Sequence, residues 1–365
     1  MSGRASSPIV LAAGGTGGHF FPAEALAAAL IGRGRRVVLF ADARTKIGAD
    51  SVFAARERFV IPGGGIAGRG VGRAIAGAFK LLAGFFVARR ALRDLRPAAL
   101  VAFGGYPAIA PVLASRSLAR RVPVILHEQN AVLGRANRFL ARFSARLALS
   151  VPDTRSIPPG AATIVVGNPV RPAIAACAGI PYAPPTESGA IRLLVLGGSL
   201  GARVMSDVVP AALAALPTPL RARLALAQQC RAEDLARVAA FYREAAISAE
   251  CAAFFADVPE RLAAAHLVIA RAGASTLAEL AVIGRPAILV PLPGAIDDHQ
   301  SANARAFGDA AVTIAERQFT PARLAAVLGD LLAAPARLSA MAAAAKHGPA
   351  DAAERLADLA EGVRP

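Results

Sequence analysis

The sequence predicts an α/β protein of two doubly wound units with parallel sheets facing one deep cleft. Three observations lead there. The chain has 365 residues, of which 55% are hydrophobic, enough for two buried cores. Short apolar runs alternate with Ala-, Leu- and Arg-rich stretches of helical composition, the pattern of βαβ units and a parallel sheet. A glycine-rich turn closes a strand-like run and opens a helix-like one twice, as Gly14-Gly15-Thr16-Gly17-Gly18-His19 and as Gly197-Gly198-Ser199-Leu200-Gly201. Such a turn brings backbone N–H groups to a phosphate at a helix N-terminus, where unpaired donors and the helix dipole favour negative charge.

In order, the first half offers strands at 9–13, 37–40, 99–103, 123–126 and 163–166. The second half repeats the scheme at 192–196, 223–227, 267–270 and 287–290. Between them the Pro- and Ala-rich stretch 169–185 reads as a hinge. The expected organisation is two Rossmann-like domains, 1–171 and 172–347, with a last helix in 348–365 returning to the first.

The formal net charge is +16, and all of the excess sits in one half. Residues 1–171 hold 24 Lys and Arg against 7 Asp and Glu, while residues 172–365 hold 17 against 18. A basic half of that kind suits nucleic acid, an anionic membrane surface or an acidic substrate. Aromatics at 5% and the lack of a recognised binding motif argue against nucleic acid. Cys177, Cys230 and Cys251 are odd in number and lack metal-ligand spacing, so neither a disulfide framework nor a zinc site is expected. Asp297-Asp298-His299 has no further ligand nearby, so no metal is expected there either. The first residues lack the pattern of a secretory signal, which predicts a cytoplasmic protein.

One stretch of the basic half stands apart. On a helical wheel Ile75, Phe79, Leu82 and Phe86 share one face and Leu81, Phe85 and Leu92 the adjoining one, an arc wider than core packing requires. Arg69, Arg73, Lys80, Arg89, Arg90, Arg93 and Arg96 surround it. Lys80 interrupts an apolar run already shorter than the roughly 20 residues of a membrane span. Two readings remain: a core-facing helix with a solvated basic face, or an interfacial patch whose apolar residues Ile75, Phe79, Leu82, Phe85 and Phe86 enter the headgroup region while arginines meet anionic lipid.

The first glycine turn departs from the dinucleotide fingerprint because Phe20 stands where a glycine or alanine is needed. Asp42, after the second strand, keeps a dehydrogenase reading open. His19 directly follows the glycines, where an imidazole can accept a proton from a ligand; otherwise it is a hydrogen-bonded helix N-terminal residue. His127-Glu128-Gln129-Asn130 follows the strand 123–126 at a carboxyl edge, where open α/β sheets bind ligands. Gly104-Gly105-Tyr106-Pro107 puts a phenol at the same rim, and both segments suit an acceptor pocket. In the second half, Arg271 to Glu279 follows the strand 267–270, and Thr276 with Glu279 also fits a capping box, a purely structural explanation.

These residues carry a family resemblance. GGTGGHFFPA (14–23), FGGYPAIAP (103–111), HEQNAVLGRANRFL (127–140), GNPVR (167–171), LGGSLGAR (196–203), RAGASTLAEL (271–280) and GRPAILVPLPGAIDDHQSANA (284–304) occur in this order. They closely resemble the bacterial N-acetylglucosaminyltransferases that act on undecaprenyl-diphospho-muramoyl-pentapeptide. The resemblance runs from about residue 9 to about residue 305. It implies a GT-B fold and an inverting transfer from UDP-N-acetylglucosamine that converts lipid I to lipid II, on the cytoplasmic face of the bacterial inner membrane, by a peripheral enzyme that needs no cofactor. It implies that Ser199 and Arg171 contact the diphosphate and that Phe255 offers backbone groups to uracil. It lines the nucleotide site with Ala274, Ser275, Thr276, Leu277, Ala278 and Glu279, the last taking the ribose hydroxyls. Gln300 then binds the sugar hydroxyls, Thr16, Gly17, Gly18 and Asn130 complete the donor site, and Tyr106, His127 and Asn137 bind the acceptor. Phe255 stands where an aliphatic residue is common in the family, and the loop before Asp298 is one residue longer than in some relatives.

Inversion needs one displacement and no enzymic nucleophile. It does need a base for the muramoyl 4-hydroxyl and stabilisation of the departing UDP. His19 is the first candidate base and Glu128 the second. Arg171, Ser199 and the helix N-terminus after Gly201 suit the leaving group without a divalent metal. Three other readings share parts of the pattern: a different two-domain glycosyltransferase with a soluble acceptor, a UDP-N-acetylglucosamine epimerase, and a noncatalytic membrane scaffold.

Overall fold

The computed structural model describes residues 7–14, 17–45, 47–63, 71–198 and 201–364. Thr16 and Ser199 lie outside these, as does the side chain of Ile75. Contacts divide the chain into two compact units, one of residues 1–172 with 349–365 and one of residues 173–348.

The first unit is built on seven strands: β1 (Ile9–Ala12), β2 (Val37–Ala41), β3 (Arg58–Val60), β4 (Ala99–Ala102), β5 (Val124–Glu128), β6 (Arg146–Leu149) and β7 (Thr163–Val165). All pairs are parallel, in the order β3-β2-β1-β4-β5-β6-β7. The two-residue alternation of a strand divides the core. Ile9, Leu11, Val37 and Leu39 face Leu26 and Leu30 of α1 (Gly17–Gly32) and Leu356 and Ala360 of the last helix, Ala352–Gly362. Val10, Val38, Phe40 and Leu100 face Ala88 and Leu92 of α2 (Val71–Leu95) and Val112 of α3 (Ile109–Arg116). With both faces covered, central strands are apolar runs rather than alternating ones, and each buried Leu or Val contributes roughly 1.5–3 kcal/mol. The last helix is also held electrostatically, because Arg33 pairs with Glu354, Asp358 (2.6 Å) and Glu361 (2.9 Å).

The second unit repeats the winding. Its strands are β8 (Ile191–Leu196), β9 (Leu224–Gln229), β10 (Ser248–Ala252), β11 (Leu267–Ala270), β12 (Ala287–Leu289) and β13 (Ala311–Thr313), all parallel, in the order β10-β9-β8-β11-β12-β13. Strand order reverses between β1 and β4 in one unit and between β8 and β11 in the other. Ligands of such sheets bind at the carboxyl ends beside that reversal. The glycine turns follow β1 and β8, so each lies at its unit's switch point.

Four strands are absent from the sequence reading: β3, β6, β10 and β13. β3, β10 and β13 are sheet edges, partly exposed and hydrogen-bonded along one side, so burial imposes no apolar run on them. β6 is interior, but its Arg-Leu-Ala-Leu sequence reads as more of the preceding helix composition. β7, expected at 163–166, is an edge strand whose residues are all exposed.

Candidate active site

In the first unit His19 sits in the first turn of α1, directly after the glycines. Its Nδ1 is 2.9 Å from Oε1 of Gln129, and its Nε2 takes no hydrogen bond from the described residues. Gln129 Nε2 donates to His127 Nδ1 (2.9 Å) and to the His127 carbonyl (3.0 Å). His127 Nε2 lies 3.0 Å from the Gly167 carbonyl. His127 is fully buried, and that burial pushes its pKa down to about 4, so the ring is neutral in the fold.

Gly105 adopts φ +67°, a conformation that excludes side chains, and a Cβ there would lie 3.6 Å from His19 Nε2. The glycine keeps that side of the ring clear.

The buried neutral His127 makes unit 1 acid-sensitive. An unfolded imidazole titrates near 6.5. From about pH 6.5 down to about pH 4 the unfolded chain binds a proton that folded His127 refuses, so its contribution is fully present above that window and falls as pH drops through it. The expected loss is about 3 kcal/mol. Equilibrium unfolding at pH 7 and pH 4.5 should show a steeper acid loss in the wild type than in His127→Phe; equal losses refute it.

Glu128, the other candidate base, is buried and saturated. Oε1 accepts from Asn130 N (3.1 Å) and Asn130 Nδ2 (3.0 Å), and Oε2 accepts from Gly134 N (2.9 Å) and Asn137 Nδ2 (2.9 Å). It organises the loop between β5 and α4 (Arg135–Leu140). Asn137 Oδ1 is buried without a hydrogen-bond partner, and a Cβ at Gly104 would lie 3.4 Å from it. Tyr106 belongs to a separate cluster: its hydroxyl donates to Asp42 (2.7 Å), and the Arg44 guanidinium stacks 4.9 Å from its ring centroid. Asp42 also accepts from Arg44 and Thr45. That carboxylate is buried and spent, which removes the support it gave a dehydrogenase reading. Arg171 stacks on Phe21, 5.4 Å from its ring centroid.

In the second unit a Cβ at Gly197 would fall 2.4 Å from Ala202 N, so only glycine lets the turn double back to the helix Arg203–Ala214. That helix has no side-chain cap. The helix Ala274–Ile283 begins one residue after Gly273, its N-cap. Thr276 therefore lies inside the helix, and the expected capping box with Glu279 does not form. Glu279 and Leu277 are buried, Ala274, Thr276 and Ala278 are half-buried, and the Ser275 hydroxyl is buried without a hydrogen-bond partner. Gln300 Oε1 accepts from Leu292 N (2.9 Å) and so ties down the loop after β12. Asp297 and Asp298, just before the helix His299–Phe307, hold φ 54° and 51°, a left-handed pair uncommon outside glycine. Phe255 is buried, and the Arg261 guanidinium lies over its ring, 4.2 Å from the centroid.

On α2 the two sequence readings divide by face. Phe79, Leu82 and Phe86 are 69%, 52% and 60% exposed, and Lys80, Arg90 and Arg93 are exposed around them. Phe85, expected in the same patch, instead packs with Leu81 against the core, and Leu92 is buried. The reason is position: Phe85 is next to Gly84, which abuts the Pro62 carbonyl. Among the described residues no helix is long and apolar enough by itself to cross a membrane, and no three His, Cys, Asp or Glu side chains form a metal-holding group.

The sequence points to Gln129 only as a member of the segment 127–130, without a role of its own, and gives no signal for Arg44, since arginines abound in this half.

Residues 9–149 match the glycosyltransferase family 28 N-terminal domain and residues 192–356 the glycosyltransferase family 28 C-terminal domain. Together with the two doubly wound sheets, these matches define a two-domain glycosyltransferase. The UDP-N-acetylglucosamine–N-acetylmuramyl-(pentapeptide) pyrophosphoryl-undecaprenol N-acetylglucosamine transferase of Granulibacter bethesdensis is 60% identical over 98% of this chain and 94% of its own length. The transferase of the same name from Acidiphilium cryptum is 51% identical over 98% and 97%. The crystal structure of Acinetobacter baumannii MurG superposes with a TM-score of 0.78 at 31% identity, covering 98% of this chain and all of that one. The chain belongs to this family of N-acetylglucosamine transferases, within glycosyltransferase family 28. A kitacinnamycin glycosyltransferase, 17% identical with a TM-score of 0.67, shares the fold.

Proposed function

We propose that the protein moves N-acetylglucosamine from UDP-N-acetylglucosamine to the 4-hydroxyl of the muramoyl unit of undecaprenyl-diphospho-muramoyl-pentapeptide, with inversion. The observation that carries it is His19: one ring nitrogen is tied to Gln129, and the other, beside Gly105 at the switch point of unit 1, takes no hydrogen bond from the described residues. The names borne by the relatives supply the substrate pair. In the transfer the anomeric C–O bond of the donor breaks and its electron pair leaves with UDP. The acceptor oxygen forms the new bond, and its proton passes to His19 Nε2.

Unit 1 supplies the acceptor side through Tyr106, while His127 and Asn137 are buried and hold the segment behind it in place; the resemblance assigns Gly17, Gly18, Asn130 and Thr16 to the donor. In unit 2 the uncapped helix N-terminus after Gly201 suits the diphosphate, and the resemblance assigns Arg171 and Ser199 to the same group. Phe255, the stretch Ala274 to Glu279 and Gln300 hold uracil, ribose and sugar. UDP release from UDP-N-acetylglucosamine tests the whole reading. Release is expected only with a lipid I analogue present; no release with any lipid acceptor refutes it, and a new sugar nucleotide without acceptor points to an epimerase.

The capping box does not form, and in this reading Glu279 makes a charge-assisted hydrogen bond to ribose. Glu279→Gln should raise the donor KM about tenfold at nearly constant kcat. An unchanged KM removes Glu279 from the site.

The exposed face of α2 is our candidate for the anionic cytoplasmic surface of the inner membrane, with Phe79, Leu82 and Phe86 entering the headgroups and Lys80, Arg90 and Arg93 meeting phosphates. Replacing the three apolar residues with serine should abolish sedimentation with anionic vesicles while circular dichroism stays the same. Undiminished binding rules the face out.

A further inference from the structure

We infer that Gln129 is a positioning residue for the transfer: it fixes the tautomer of His19, putting the proton on Nδ1 and leaving the Nε2 lone pair to receive the acceptor's proton. The inference rests on the proposed role of His19 and assigns a cause to it. The directions of the hydrogen bonds follow from groups that have no choice. The Gly167 carbonyl can only accept, so His127 Nε2 carries the proton of that neutral ring and its Nδ1 keeps a lone pair. The His127 carbonyl is likewise an acceptor only. One end of the Gln129 amide faces both, at 2.9 and 3.0 Å, so that end is the NH2 group. Turning the amide over would set a carbonyl oxygen against two acceptors in a buried site, a penalty of about 1–3 kcal/mol for each unpaired group.

With its NH2 committed, Gln129 presents Oε1 to His19, and an amide oxygen cannot donate. The 2.9 Å contact therefore requires the proton on His19 Nδ1. Two backbone carbonyls, Gly167 and His127, thus set the state of a ring that neither touches. Gln129 touches no reacting atom in this arrangement and acts through His19. The logic is that of any base oriented by a third group: a ring held in the wrong tautomer keeps its place and loses its function.

The test reads the tautomer itself. The chain has five histidines, so a protein labelled with ¹⁵N at histidine gives few ring signals to assign. At a pH where His19 is neutral, two-bond ¹H–¹⁵N correlations of the wild type should show His19 with the proton on Nδ1 and His127 with it on Nε2. In Gln129→Met, His19 should redistribute toward the Nε2-protonated form, and kcat should fall about tenfold or more with the donor KM within about twofold of wild type. Wild-type His19 protonated on Nε2 overturns the inference with no variant required. A Gln129→Met protein whose His19 signals stay in place overturns it too, as does one whose tautomer shifts at constant kcat. Failure of the base reading looks different: His19→Ala retains its kcat, while the wild-type tautomer pattern is as described.

Discussion

His19→Ala lowers kcat at least about a hundredfold, the low end of what a positioned general base contributes, or about 2.7 kcal/mol of transition-state stabilisation. The expectation follows from the chemistry of inversion and from where the ring is. A single displacement generates no covalent intermediate, so the enzyme must supply a proton acceptor to the attacking hydroxyl and stabilisation to the leaving diphosphate. Of the two candidate bases, Glu128 has both oxygens occupied by backbone and asparagine N–H groups, whereas His19 keeps one nitrogen unbonded among the described residues. Removing the imidazole leaves the diphosphate contacts in place, so the loss falls on kcat and the donor KM stays within about twofold. Gln129 Oε1 loses its partner in the variant, a cost of about 1 kcal/mol that a melting curve registers and that does not mimic the kinetic effect. Steady-state UDP release at saturating donor, with a soluble lipid I analogue, decides it. A kcat within threefold of wild type removes His19 from the reaction.

How far the sequence reveals this site depends on which force sets each residue. Buried parallel strands must be apolar on both faces, so β1, β4, β5, β8 and β11 are visible as runs, and the glycines after β1 and β8 are visible because backbone geometry demands them. The edges β3, β10 and β13 are set by hydrogen bonds to one neighbour, which leave no compositional mark. The same holds within the site. The segment 127–130 is conspicuous as four consecutive hydrogen-bonding side chains, but sequence assigns no direction to any of their bonds. That Glu128 faces Gly134 and Asn137 while Gln129 faces His19, 110 residues away, follows only from the pairing of β5 beside β4 and of β4 beside β1. The capping box failed for a related reason: Thr276 and Glu279 have the right spacing, but the helix gains a turn's start at Gly273, directly off β11, before Thr276 is reached. On α2, spacing identified both apolar faces and only the packing of Gly84 against Pro62 distinguishes the buried one.

Glu128→Gln destabilises unit 1 by about 3–6 kcal/mol, lowering its melting transition by about 10 °C, and this loss separates an anchor from a base. Each Glu128 oxygen accepts two N–H groups, one pair from Asn130 and one from Gly134 with Asn137. An amide at this position satisfies one pair with its oxygen and turns its NH2 against the other, whichever way it is placed. The two lost bonds are charge-assisted, each worth about 1.5–3 kcal/mol, and they end on a carboxylate that is itself buried. Their loss loosens the loop from Asn130 to Gly134 and the start of α4, the same backbone that carries Gln129 toward His19. Activity should therefore fall together with stability and should recover in part at low temperature, where the unit stays folded. A base behaves otherwise: its amide variant melts within about a degree of wild type and loses kcat at every temperature. Calorimetric melting beside a temperature series of kcat distinguishes the two. An unshifted transition with a hundredfold lower kcat would return the proton to Glu128 and leave His19 as a residue hydrogen-bonded to Gln129 at the switch point.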